Sequence, residues 1–322
     1  MRLNKVSARV FCTLNGGKRS GNPVTIFASS QGIPIGTQTK LAQQCEWESV
    51  MVNTSNATLA FYMPTGEQVN FCAHAAMGGV TQLKHTLEKP LHFSSAMRLP
   101  TTTQQNNDAD DTDNPQSTAT IHDNNIVSLE LRETWETSKI KHPPSLHRLL
   151  REACGVEASS LVPPPHEEGS FPTFCNSSTA RPKTLVYVNS LQALHQARAP
   201  TNATVFQRAC DNLETTGLYL YTPQPDEMHA FECRQFPRAS YPEDPATGIA
   251  ASALAVALQQ QAEPSTRADA YKFYQGTSMG RPSLILVENL HFHSDQQKVS
   301  FRLLGQVQID DQEEIEEDCT AA

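Results

Sequence analysis

Short apolar runs alternate with polar turns along the first 83 residues, and the pattern predicts strands at Arg9 to Phe11, Pro23 to Ala28, Val50 to Asn53 and Thr58 to Met63. Between them Thr37 to Cys45 reads as a helix, and Gly21-Asn22-Pro23 marks a turn before an apolar run. Phe71 to Leu83 then reads as a helix of small residues. Its Gly78 and Gly79 each cost about 1 kcal/mol relative to alanine. That cost is expected where a helix fits closely against surrounding strands, which predicts a helix enclosed by sheet.

The second half repeats the plan. Strands predicted at Ile126 to Leu131, Thr184 to Val188, Leu218 to Tyr221 and His229 to Phe236, with helical character at Leu191 to Arg198, lead to a second small-residue helix at Ala246 to Gln260. Ser283 to Val287 and Val299 to Leu303 alternate as further strands, the last returning to the first domain. Two segments break the pattern. Residues 101–118 contain almost no apolar side chain and read as a flexible insertion, and the Pro-rich stretch from Val162 to Pro182 reads as a long loop. The expected division is a first domain over 1–125, a second over 126–290, a returning strand at 291–309 and a disordered acidic tail at 310–322.

With 322 residues the chain is long enough for two cores, and 38% hydrophobic content is ordinary for a globular protein. The formal net charge of −9 is concentrated, because seven acids lie between Asp310 and Asp318 and four more between Asp108 and Asp113. The remaining body is close to neutral, which argues against a nucleic-acid footprint. No signal-peptide pattern opens the chain and no run has the length of a membrane span, so the expected location is the cytosol. Eight cysteines without a Cys-x-x-Cys pair favour reduced thiols over a disulfide frame or zinc site.

The candidate chemistry lies in two blocks, Glu67-Gln68-Val69-Asn70-Phe71-Cys72-Ala73-His74 and Pro242-Glu243-Asp244-Pro245-Ala246-Thr247-Gly248. Each puts a titratable side chain at the mouth of a small-residue helix, where free N–H groups and the macrodipole hold carboxylates and shift the acidity of neighbours. Glu48 stands where a helix gives way to a strand. Singly, each has a plain alternative: Glu48 caps or faces solvent, His74 is a satisfied core or surface histidine, and Asp244 is an N-cap. His291 and His293 lack a third metal ligand in the pattern, and no metal site is expected.

Taken in order, Gly21-Asn22-Pro23, Glu48-Ser49, Pro64-x-x-Glu67 with Phe71-Cys72-Ala73-His74, Glu243 to Gly248, and Gln275-Gly276-x-x-Met279-Gly280-Arg281-Pro282 resemble the PhzF (phenazine-biosynthesis-like) family from about Phe11 to Ile309. The resemblance implies an α+β, diaminopimelate-epimerase-like fold: two similar domains, each a β-barrel around a central helix, with the active site in the cleft between them. It implies cofactor-free, metal-free proton transfer on a small carboxylated metabolite, and a possible homodimer. Glu48 would be the acid/base, with His74 and Asp244 orienting the substrate and assisting. Asn22, Cys72, Ala73, Thr247, Gly248 and Ile249 would line the substrate.

Epimerase relatives use one thiol per domain. Cys72 matches the first position but Asp244 stands at the second, which disfavours a two-thiol racemase. Two departures from the family pattern are Ala73, where glycine is common, and Ile249, where serine is common. An amino-acid-type epimerase and a catalytically silent binding or scaffold protein remain the alternatives, and Ile249 is the feature that most favours the silent one.

Overall fold

In a computed structural model of the protein, the described residues are 1–13, 17–84, 91–95, 117–140, 143–162, 174–238, 242–293 and 297–317. The expected insertion therefore lies outside the described residues except at its last two positions, as does much of the expected Pro-rich loop. The chain divides into two compact units, the first made of residues 1–10, 23–130 and 305–322 and the second of 11–22 and 131–304. The boundary differs from expectation in three places: residues 11–22 join the second unit, residues 126–130 stay with the first, and the chain returns to the first at 305 rather than 291.

In the first half, strands β1 (Arg2–Cys12) and β2 (Asn22–Ser29) precede helix α1 (Ile35–Gln43). Strands β3 (Ser49–Asn53), β4 (Thr58–Tyr62) and β5 (Gln68–Val69) lead to α2 (Ala73–Val80), which is followed by β6 (Leu91–Ser95), β7 (Ser117–Ile121) and β8 (Ile126–Thr134). Strands β2 and β3 are parallel, β3 and β4 antiparallel, and β4 and β6 parallel across α2. All eight residues of α2 are buried. A Cβ on Gly78 would come 3.0 Å from Val24 Cγ1, and one on Gly79 would come 3.2 Å from Val50 Cγ2 and 3.3 Å from Leu59 Cδ2. The glycines thus let α2 lie against three strands, as their cost in the sequence implied. On the opposite face α1 packs through Leu41 and Ala42 on Phe27, Met51, Ala60 and Tyr62.

The second half continues with β9 (Glu136–Lys139), α3 (Pro143–Cys154), β10 (Phe174–Ser178), β11 (Lys183–Tyr187), α4 (Leu191–Gln196), α5 (Ala203–Asn212), β12 (Gly217–Pro223) and β13 (Ala230–Pro237). Helix α6 (Gly248–Gln261) and strands β14 (Ala270–Gln275), β15 (Ser283–His293) and β16 (Lys298–Glu316) complete it. The pairing repeats that of the first unit: β11 and β12 are parallel, β12 and β13 antiparallel, and β13 and β14 parallel across α6. Twelve of the fourteen residues of α6 are buried, so it is apolar around its whole circumference rather than along one stripe. It touches β10 and β11 and also β15, which lies further along the ladder order. The other face carries α3, α4 and α5, whose Leu146, Leu150, Leu194, Phe206 and Cys210 share a core with Val186, Leu218 and Phe236.

Two expectations require correction. Strand β10 lies inside the stretch expected to be loop, its alternate residues buried and its backbone paired with both β9 and β11. The acidic stretch is not disordered over residues 310–316, which continue β16. Basic partners explain it: Arg9 Nε and Nη2 donate to the two Asp310 carboxylate oxygens at 2.7 Å each, Lys5 Nζ donates to Glu313 at 2.7 Å, and Arg2 Nε donates to Glu316 at 3.3 Å. The Met1 ammonium donates to the Glu317 carbonyl at 2.7 Å, and the Glu317 N–H donates to Met1 at 2.9 Å.

Candidate functional site

Glu48 ends the connection from α1 and immediately precedes β3. The Thr25 N–H donates to its carbonyl at 3.2 Å, tying it to the parallel β2, and its side chain is only 13% exposed. His74 is the second residue of α2, and α2 rests on β3. These supports bring Glu48 Oε2 to 3.8 Å from His74 Nε2, with the imidazole 7% exposed. That distance is ion-pair proximity rather than a hydrogen bond. Two nearly buried titratable groups side by side are the arrangement acid/base chemistry requires, and such contacts often tighten only when substrate binds.

Cys72 occupies the N-cap of α2 without a side-chain capping bond. Its Sγ lies 3.4 Å from His74 Nδ1 and 3.9 Å from Nε2. The near-equal distances place the sulfur beside the ring between the two nitrogens, out of line with either lone pair. The thiol therefore lies against His74 without the in-line bond of a cysteine–histidine nucleophile. Ala73, the first residue of α2, is buried.

In the second unit Asp244 is held at every polar edge. Its Oδ1 accepts from Asn22 Nδ2 at 2.8 Å and from the Ala246 N–H at 3.1 Å, and its Oδ2 accepts from the Thr247 hydroxyl at 2.7 Å. Asn22 Nδ2 also reaches the Ala246 carbonyl at 2.8 Å. Gln275 Nε2 donates to the Asp244 carbonyl at 2.7 Å and to Thr247 Oγ1 at 3.2 Å, while its Oε1 accepts from Tyr219 at 3.2 Å and from the Thr247 N–H at 3.3 Å. Asp244 is not the N-cap of α6; Thr247 holds that position, its hydroxyl turned back to Asp244. Gly248 and Ile249 begin the helix, and Ile249 is buried.

Three blocks separated in sequence are joined here. Gly276 has φ +77°, and a Cβ on it would meet the Arg281 carbonyl oxygen and come within 2.7 Å of the Pro245 oxygen, so only glycine permits that approach. The Gly21 N–H and the Ser20 hydroxyl donate to the Pro282 carbonyl at 3.2 and 2.7 Å. Below this loop Arg234 donates from Nε and Nη2 to Glu243 at 2.9 and 2.7 Å, and its Nη1 reaches the Leu194 carbonyl at 3.1 Å. This buried ion pair clamps the segment leading to Asp244 onto β13. Arg234, Tyr219 and the buried Lys183 were not singled out from sequence, because a lone charged or aromatic residue in a strand carries no periodic or spacing signal.

The model of the phenazine biosynthesis-like PhzC-PhzF family matches residues 19–309. The chain belongs to that family. Among solved structures, this PhzC-PhzF protein is similar to a PhzF-family phenazine biosynthesis protein from Bacillus anthracis, with 17% identity, TM-score 0.74, and coverage of 98% of this chain and 99% of that one. It is also similar to a predicted epimerase from Pseudomonas aeruginosa, with 19% identity, TM-score 0.70, and coverage of 98% and 100%. A PhzC/PhzF protein from Clostridium difficile matches with 16% identity, TM-score 0.66, and coverage of 98% and 99%. At these identities the likeness speaks for the fold. No protein of curated function matches the chain. No helix among the described residues is long and apolar enough to cross a membrane.

Proposed function

We propose that this PhzC-PhzF protein is an isomerase that moves a proton within a small carboxylated metabolite by acid/base catalysis without a cofactor, each unit closing as a barrel around its central helix. The observation that carries this reading is the pairing of Glu48 with His74, two nearly buried titratable groups 3.8 Å apart. Glu48 removes and returns the carbon-bound proton, and His74 assists. A shielded carboxylate is a stronger base than one in water, which suits abstraction from carbon. Asp244, fixed by Asn22 and Thr247, orients the substrate from a rigid frame.

The test is deuterium uptake from solvent into candidate carboxylic acids. Glu48→Gln keeps size and hydrogen bonding but cannot accept a proton at neutral pH, so exchange is expected to vanish with Tm little changed. His74→Ala is expected to slow exchange by about 10²- to 10⁴-fold. Wild-type exchange in the Glu48→Gln protein refutes the assignment, and absence of exchange with every acid that binds the wild type supports a silent binding role.

A further inference from the structure

Lys183 is the first residue of β11 and only 7% exposed. Its Cα faces Ser177 on β10, whose hydroxyl donates to the Ala253 carbonyl of α6 at 2.8 Å, so Lys183 shares the face turned toward α6. Lys183 has no hydrogen bond or ion pair among the described residues. On the same face of β13, Gln235 is fully buried, and both its amide nitrogen and its amide oxygen lack a partner among the described residues. The two positions are linked through Gly217. That glycine precedes Leu218, the parallel-register neighbour of Thr184, so it stands beside Lys183, and a Cβ on it would come within 2.7 Å of Gln235 Nε2. Thr179, in the turn joining β10 to β11, adds a buried hydroxyl without a partner among the described residues.

Unsatisfied buried polar groups each carry a desolvation cost. Lys183 and Gln235 lie on the same inner face, where the Gln235 carbonyl also accepts the Asp244 N–H at 3.0 Å. We propose that Lys183 and Gln235, with Gly217 between them and Thr179 at the adjoining turn, form an anion subsite of the second unit that takes a carboxylate. The charged groups near Lys183 are the Arg181 guanidinium of the turn and the Asp244 carboxylate, and the Cys210 thiol of α5 is pushed up to about 12 by burial and stays neutral. The Lys183 ammonium itself supplies one positive charge, which a monoanion matches. Lys183 and the amide nitrogen of Gln235 donate to such a group, and the amide oxygen accepts from a hydroxyl or amine on the same ligand.

Burial, with the nearby Arg181 charge, lowers the Lys183 amine to about 8, so carboxylate binding should weaken as pH rises through that value. The subsite is independent of the proton-transfer reading, because binding is measured without turnover and can be repeated on the Glu48→Gln protein. The experiment titrates acetate into the full chain at constant ionic strength against chloride, following Tm and the rate at which cyanate carbamylates Lys183. Acetate is expected to raise Tm and slow carbamylation of the wild type. Lys183→Met is expected to abolish the Tm response and Gln235→Met to weaken acetate binding about tenfold. An acetate response unchanged in both variants, or none in the wild type, overturns the proposal. Inorganic phosphate binding at pH 7.5 more tightly than acetate overturns the assignment to a monoanion.

Discussion

Arg234 and Glu243 show how a single pair holds the loop that carries Asp244. Both side chains are under 10% exposed, and Glu243→Gln would leave a guanidinium buried without its charge partner. Breaking such a pair costs about 3 kcal/mol, so a chemical denaturation series should show a loss of that order, larger than for any exposed pair in the chain. Lys183 acts in the opposite direction. Burial lowers its amine from an ordinary 10.5 to about 8 in the folded chain, so between those values the unfolded chain holds a proton that the folded one does not. Stability therefore rises with pH across that window, and at pH 7 the buried ammonium is a standing cost. Lys183→Met is expected to raise Tm at pH 7 in ligand-free protein, the gain shrinking toward pH 10, as thermal melts at stepped pH would show. Glu48, His74 and Asp244 were legible because each sits in a patterned block. Lys183 and Gln235 were not, since what distinguishes them is the missing partner, a property of three-dimensional surroundings.

The small-residue helices were the most legible elements, because runs such as Ala-His-Ala-Ala-Met-Gly-Gly-Val leave no polar face for water. Strand β16 was the least legible beyond Ile309. Its acids looked like a solvated tail, and only contact with Arg2, Lys5 and Arg9, some three hundred residues away in the chain, turns them into a strand. The contacts are unequal. Asp310 faces an Arg9 side chain only 5% exposed, whereas Lys5 and Glu313 are 37% and 52% exposed. Asp310→Ala is expected to lose about 2 kcal/mol, and Glu313→Ala less than about 1 kcal/mol. Equal effects in urea melts would show that the strand's backbone pairing, rather than the buried guanidinium, dominates its attachment.

For the molecule as a whole, the repeat of parallel and antiparallel pairings around α2 and α6 agrees with the two-fold plan read from the sequence. The boundaries were harder to read, because residues 11–22 and 305–316 belong to units formed mostly by distant stretches of chain. Those assignments depend on strand partners rather than on local composition. The recombinant fragment 1–130 lacks the last strand of its own unit and is expected to give no cooperative thermal transition.

The same threading of β16 from one unit into the other bears on how the polypeptide emerges from a ribosome. Residues 1–10 are made long before Gly305, where the last piece of their own unit begins. Domains ordinarily fold in the order of their synthesis. Here the earlier-made unit must wait for residues from Gly305 onward to be translated, so its incomplete sheet edge stays open during elongation and is a natural client for chaperones that bind nascent strands.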